Sequence, residues 1–205
     1  MYIPKHFRVE DEAVLYDFMD QNSFGILISN YDGVPFATHL PLILDREKGC
    51  LYGHFARGNM QWKDIEGQEV LAIFQGPHSY ISSSWYETNL SVPTWNYVTV
   101  HVYGQLEMME DSAQLLGTLD EMVSKYEKPE SPYQLDESNH ELVESMMKGI
   151  VGFTLKITKL EGKWKLSQNH PVERQQRVIK ELEKSVLEDD REIAKLMKNN
   201  IEGLA

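Results

Sequence analysis

Two hydrophobic periods alternate along the chain and place its elements. Val14, Leu15, Phe18 and Met19 recur at helical spacing, and Asn22-Ser23 ends that helix before a short apolar strand over 24–29. Tyr31-Asp32-Gly33 is a turn signal. Beyond it Phe36, Thr38, Leu40, Leu42 and Leu44 alternate with Ala37, His39, Pro41 and Ile43, the pattern of a second strand. Pro41 has no amide hydrogen, which predicts an edge or a bulge there. Glu47-Lys48-Gly49 turns the chain into a strand over 51–55, a predicted hairpin, and 70–74 is a continuous apolar run of fully buried type.

The clearest strand spans 97–106. Val98, Val100 and Val102 share its core face, while Tyr97, Thr99, His101 and Tyr103 share a face too aromatic for open solvent, which is expected to meet a partner surface or ligand. Gly104 permits a bend or a close approach. Asp111 opens a helix, with Gln114 in capping-box position and Leu115, Leu119, Met122 and Tyr126 as its stripe. Pro129 and Pro132 mark a loop, and Ser138 with Glu141 predicts a further helix whose apolar face is Leu142 and Met146. Val151, Phe153, Leu155 and Ile157 alternate as another strand, and Glu161-Gly162 turns into 163–166. Asn169-His170-Pro171 starts a C-terminal helix with Val172, Ile179, Leu182 and Val186 in its stripe, and Ile193, Leu196 and Met197 mark a last helical piece. At least six short strands with helices inserted among them, rather than alternating with them, predict a mainly β, α+β protein: an antiparallel barrel with added helices.

Charge narrows the function. The 205 residues carry 32 acidic and 20 Lys/Arg side chains, a net of -12. A nucleic-acid binder needs a basic footprint, so direct DNA binding is disfavoured, whereas an anionic ligand needs only a few local donors. The tail over 171–205 adds 7 Lys/Arg against 8 Asp/Glu and no glycine turn of helix-turn-helix type. No apolar run reaches membrane-span length, the start has no signal-type segment, and the single Cys50 forms no internal disulfide; a cytoplasmic protein is expected.

Three of the four tryptophans fall in a stretch from Gly53 to Tyr97 that is dense in histidine, glycine and proline. His39, His54, His78 and His101 have no H-x-x-x-H or H-x-H spacing, so no metal site is expected. Ser82-Ser83-Ser84 lacks a G-x-S-x-G elbow and reads as turn chemistry. His54-Phe55-Ala56-Arg57-Gly58-Asn59 follows a strand and combines a guanidinium, a glycine and an amide, a set that suits either a phosphate grip or an ordinary polar turn. Lys163-Trp164-Lys165 reads equally as a small nucleic-acid patch or a solvated strand end.

Taken in order, Met1-Tyr2-Ile3-Pro4, Thr38-His39-Leu40-Pro41, Gly53 to Trp62, Phe74-Gln75-Gly76-Pro77-His78, Ser82 to Tyr86, Val92 to Tyr97 and Lys165 to Asn169 resemble the PaiB-type FMN-binding family. Its members are negative transcriptional regulators of protease synthesis and sporulation. Met60 and Ser83 stand where the family pattern has proline. The resemblance implies a six-stranded FMN-binding split barrel over 1–169, a helical extension over 170–205, and a homodimer with flavin at the subunit interface.

By the same resemblance Arg57 and Asn59 grip the phosphate, with backbone around His54 and Ala56. Thr38, His39 and Leu40 run along the isoalloxazine edge. Trp95, Asn96, Lys165 and Gln168 approach from the partner subunit or the mouth of the site. Negative regulation is then expected to be indirect. The rival functions are a flavin reductase or oxidase, and haem binding or degradation with a histidine such as His170 as axial ligand.

Overall fold

A computed structural model describes residues 1–203. In chain order the elements are β1 (Arg8–Val9), α1 (Glu12–Gln21), β2 (Phe24–Tyr31), β3 (Val34–Pro41), β4 (Ile43–Asp45), β5 (Cys50–Ala56), β6 (Glu69–Ile81), β7 (Thr94–Met108), α2 (Ser112–Tyr126), α3 (His140–Met147), β8 (Ile150–Lys165), α4 (Val172–Leu182) and α5 (Glu188–Glu202). The strands form one sheet in the order β3-β2-β6-β7-β8-β5-β4, with β1 added on β8. The count is eight rather than the expected six. One addition is the two-residue β1. The other arises at Pro41, which supplies no N–H, so the expected strand over 36–44 ends there. Leu42 instead donates to the Ser23 carbonyl at 2.9 Å, and β4 resumes at Ile43. The proline therefore divides an edge strand, β3 on β2, from the hairpin of β4 with β5.

The chain divides into two compact units. The first comprises Met1–Phe18, Gln75–Val100 and the chain from Glu161 onward; the second comprises Met19–Phe74 and His101–Leu160. In the first unit Leu15, Val98, Val100, Ile81 and Leu166 are buried, and Phe18 packs on Trp164 with ring centroids 4.9 Å apart. Here α4 packs on α5 through Val178, Ile179, Leu182, Ile193, Ala194 and Met197. Val172 and Val186, expected in the α4 stripe, are exposed: Val172 is the first helical residue and Val186 lies beyond the helix end at Leu182.

In the second unit the core is Leu27, Leu42, Leu51, Ile65, Phe74, Val102 and Leu106, with Phe55 and Phe153 at 4.8 Å. Gly104 makes the close approach expected of it: a Cβ there would lie 2.2 Å from the Lys156 carbonyl oxygen. Asp111 caps α2 by accepting from Ala113 N at 2.9 Å, and Leu115, Thr118 and Met122 form its buried side. No residue of α3 is buried, and its apolar pair Leu142 and Met146 stands 64% and 67% exposed. Among the described residues no helix is long and apolar enough to cross a membrane.

Candidate ligand-binding site

The segment after β5 is organised by a residue that sequence reasoning passed over. Gln61 is fully buried, 0% exposed, at the start of a short 3-10 helix over Met60–Lys63. Its side-chain nitrogen donates to the Leu27 carbonyl (3.2 Å), the Ser29 hydroxyl (2.9 Å) and the Phe36 carbonyl (3.2 Å). Its side-chain oxygen accepts from the Thr38 hydroxyl at 2.5 Å. Asn59 completes the circuit: Oδ1 accepts from Gln61 N at 2.9 Å and Nδ2 donates to Thr38 Oγ1 at 2.8 Å. Buried amides persist where every polar atom finds a partner, and here one glutamine ties the turn to both β2 and β3. A polar residue in a loop carries no periodic signal, which is why Gln61 was not legible.

Arg57 is bound three times to one short stretch. Its backbone N donates to the Gly149 carbonyl at 2.7 Å, Nε to the Lys148 carbonyl at 2.7 Å and an Nη to the Ile150 carbonyl at 2.8 Å. Its own carbonyl accepts from the Trp62 indole at 2.9 Å. The exposed guanidinium is thus aimed and held while keeping further N–H donors. Arg57 lines a groove of ≈ 650 Å³ together with the apolar Met109, Leu115, Met147 and Ile150 and the charged Lys148, Glu110, Asp111 and Glu144. Gly58, next in the chain, leaves open space: a Cβ there would meet nothing within 4 Å.

The remaining expected residues of this unit divide. Thr38 belongs to the Gln61 circuit. His39 is exposed, its ring 6.4 Å from that of Phe24. Leu40 is buried and serves the core, so only its backbone can edge a ligand. Ala56 ends β5, and its register partner is Ile150. His54 pairs with Gly152 across β5 and β8; its Nδ1 is buried without a hydrogen-bond partner, and burial lowers its pKa, favouring the neutral ring.

The first unit holds Trp95, Asn96, Lys165 and Gln168. Lys165 Nζ donates to the Trp95 carbonyl at 2.6 Å and to Thr94 Oγ1, so this pair is brought together. Asn96 is fully buried and bonds Ser167 Oγ at 3.0 Å. Gln168 donates to the Trp164 carbonyl (2.7 Å) and accepts from Leu166 N (2.7 Å). Both amides are spent on the turn that closes β8, with Ser167 at φ 66°. His170 is half-buried: its ring lies 5.7 Å from that of Tyr86 and Nδ1 lies 3.4 Å from an Arg174 nitrogen. Burial, then the Arg174 charge, lowers the His170 pKa. No group of three or more His, Cys, Asp or Glu able to hold a metal occurs among the described residues.

The chain is similar to the protease synthase and sporulation protein PAI 2 of Bacillus subtilis (strain 168), 42% identical over 205 residues that cover 98% of each chain. Among solved structures it is similar to the flavocytochrome Anf3 from Azotobacter vinelandii, with TM-score 0.61 and 15% identity over 80% of this chain and 72% of that one. It is also similar to a FAD and heme binding protein from Mycobacterium smegmatis, with TM-score 0.60 and 15% identity over 77% of this chain and 73% of that one. These likenesses fix the fold as the split barrel. The family model described as "Putative FMN-binding domain" matches residues 1–159, and the chain belongs to that family.

Proposed function

We propose that this protein binds a flavin nucleotide, FMN, at the turn 56–59, and that it acts as a negative regulator of protease production and sporulation through that ligand rather than by reading an operator. The observation that carries the reading is the family match over residues 1–159, which contains the whole Gly53 to Trp62 segment. The link to protease production and sporulation is supported by the name of the Bacillus subtilis relative, similar over nearly the full chain.

The residues at the turn fit an anionic headgroup. Arg57 keeps free N–H donors after bonding two carbonyls, Gly58 leaves room for close approach, and the Gln61 circuit holds the turn rigid. A charge-assisted guanidinium–phosphate contact is roughly twice as strong as a neutral hydrogen bond. Asn59 and Thr38 act one step back, fixing the turn rather than touching the ligand. Bound flavin would supply a ring able to accept and return electrons; the chain supplies binding and orientation. The net charge of -12 supports an indirect route to regulation.

The ring is expected to meet residues of a second copy in a homodimer. Reconstitution of the purified protein with FMN, followed by gel filtration and a visible spectrum, tests the reading. A retained flavin spectrum at one FMN per chain is expected. A protein that emerges colourless, or one that instead carries a haem Soret band, contradicts it. No mobility shift of target-promoter DNA at low salt is expected; a salt-sensitive shift would contradict the indirect route.

A further inference from the structure

The segment between β7 and β8 holds a surface that the flavin reading leaves unused. Within the second unit α2 buries Leu115, Thr118 and Met122, but α3 buries no residue at all. A helix of eight residues has little stability of its own and normally draws it from a packed apolar face. Here that face is open. Leu142 and Met146 are both largely exposed, and Leu142, Met146 and Val143 lie within about 100° of one another around the helix, one apolar stripe. Val143 also lines a groove of ≈ 400 Å³, with Leu135 before it and with Ala113, Leu116 and Gly117 of α2. Gly117 adds no side chain to that groove, and a Cβ there would meet nothing within 4 Å. Groove and stripe share Val143.

Charge decides what can cover this surface. Residues 110–147 hold ten of the chain's 32 acidic side chains and only two of its 20 Lys/Arg. One of the two, Lys125, is already bound to Asp20 at 3.2 Å. Among the described residues none of the ten acids pairs with a lysine or arginine; Glu144 lies 3.8 Å from His140 Nε2, an ion pair only when that ring is protonated. Asp120 and Asp136 line the groove itself. A second copy docked here about a two-fold axis would set ten acids against ten, which repel. A wholly apolar partner would strip water from the groove's carboxylates and return nothing. A basic helix with one apolar face meets both demands, and methionine in the stripe adapts its shape to such a face.

We infer that the groove between α2 and α3, with the stripe on α3, docks a basic amphipathic helix of a partner protein. Its apolar side chains lie over Gly117 and Val143, and its Lys or Arg side chains meet the surrounding acids. No residue given to flavin takes part, so the inference stands independently of the flavin reading.

Fluorescence anisotropy tests this, titrating the full chain into a labelled peptide of about 18 residues with leucine and lysine at helical spacing. One control peptide has the same composition scrambled so that it has no apolar face, and another has glutamate in place of lysine. The amphipathic lysine peptide is expected to bind at micromolar protein and to weaken with salt. The scrambled peptide should bind more weakly by about tenfold or more, and the glutamate peptide not at all. Leu142→Ser combined with Met146→Ser, and separately Gly117→Leu, should each weaken binding by about tenfold. The three positions are exposed, so both variants should stay folded. Amide exchange at 140–147 should slow when the peptide binds. Equal binding of the scrambled peptide, unchanged binding by either variant, no slowing of exchange in α3, or no binding at about 100 µM protein each overturns the inference. So does a changed oligomeric state of the Leu142→Ser, Met146→Ser variant on gel filtration, which would make the occupant a second copy.

Discussion

The side-chain amide of Asn59 donates to the hydroxyl of Thr38 at 2.8 Å, joining the loop after β5 to the edge strand β3. Two residues that the sequence offers as separate ligand contacts are thereby partners of each other. Both answer to the buried Gln61 behind them. The grip at this turn is built in two layers: a satisfied polar circuit that sets the backbone, and Arg57 in front of it.

Replacing Gln61 by Leu keeps the bulk and removes the circuit. The Ser29 hydroxyl and the carbonyls of Leu27 and Phe36 lose the Gln61 amide, and the Thr38 hydroxyl loses its acceptor and keeps only the bond from Asn59. A buried unsatisfied group costs about 1–3 kcal/mol, so a loss of about 3 kcal/mol or more is expected in urea unfolding. An unchanged midpoint would show that the circuit is ornamental.

Arg57→Ala leaves its backbone bond to Gly149 in place and deletes those to Lys148 and Ile150. These bonds are exposed, so global stability should fall by only about 1–2 kcal/mol. Amide hydrogen exchange at 149–151 should quicken well beyond that of the β2 core, because the end of α3 loses its tether.

Glycines give a pair of opposite outcomes. Gly104→Ala would press a Cβ against the Lys156 carbonyl oxygen, a backbone atom that cannot step aside, and should cost about 3 kcal/mol or prevent folding. Gly117, exposed in the middle of α2, has nothing within 4 Å of an added Cβ. Gly117→Ala should raise stability by about 0.5–1 kcal/mol. Thermal melts of the two variants decide both.

Acid should act on the first unit in two stages. The His170 pKa is lowered from 6.5 by burial and by Arg174, so the unfolded chain takes up that proton first and stability falls as pH drops below about 6.5. Glu87 is held down to about 2 by its hydrogen bond from Arg174, so the pair's contribution is complete above about 4.5 and is lost as pH falls from there to about 2. The pair is partly exposed, and salt should shrink its effect. Arg174→Met should flatten both limbs of the stability–pH curve; an unaltered curve would remove Arg174 from this account.

Regular period made most of the fold legible. Val98, Val100 and Val102 alternate cleanly and all three are fully buried. Pro41 announced its break through chemistry that no tertiary contact can override. Where an element stops is set by contacts, so Val186 kept the helical period yet stands outside α4. Leu142 and Met146 make an amphipathic pattern in sequence, but among the described residues they stay exposed. At the site, Arg57 could be read from its charge beside a glycine. Gln61, Asn96 and Gln168 could not, because whether an amide faces a ligand or its own backbone depends on partners about 20 to 70 residues distant or, for Gln168, on a local turn.

The central claim is that FMN is held through its phosphate by Arg57, and calorimetric titration with FMN against riboflavin tests it most directly, since the two differ only in that phosphate. Wild type should bind FMN more tightly than riboflavin by about tenfold or more, and Arg57→Ala should bring the two affinities together by weakening FMN alone. Equal affinity for both flavins in wild type, or FMN bound as tightly by Arg57→Ala as by wild type, would contradict the account.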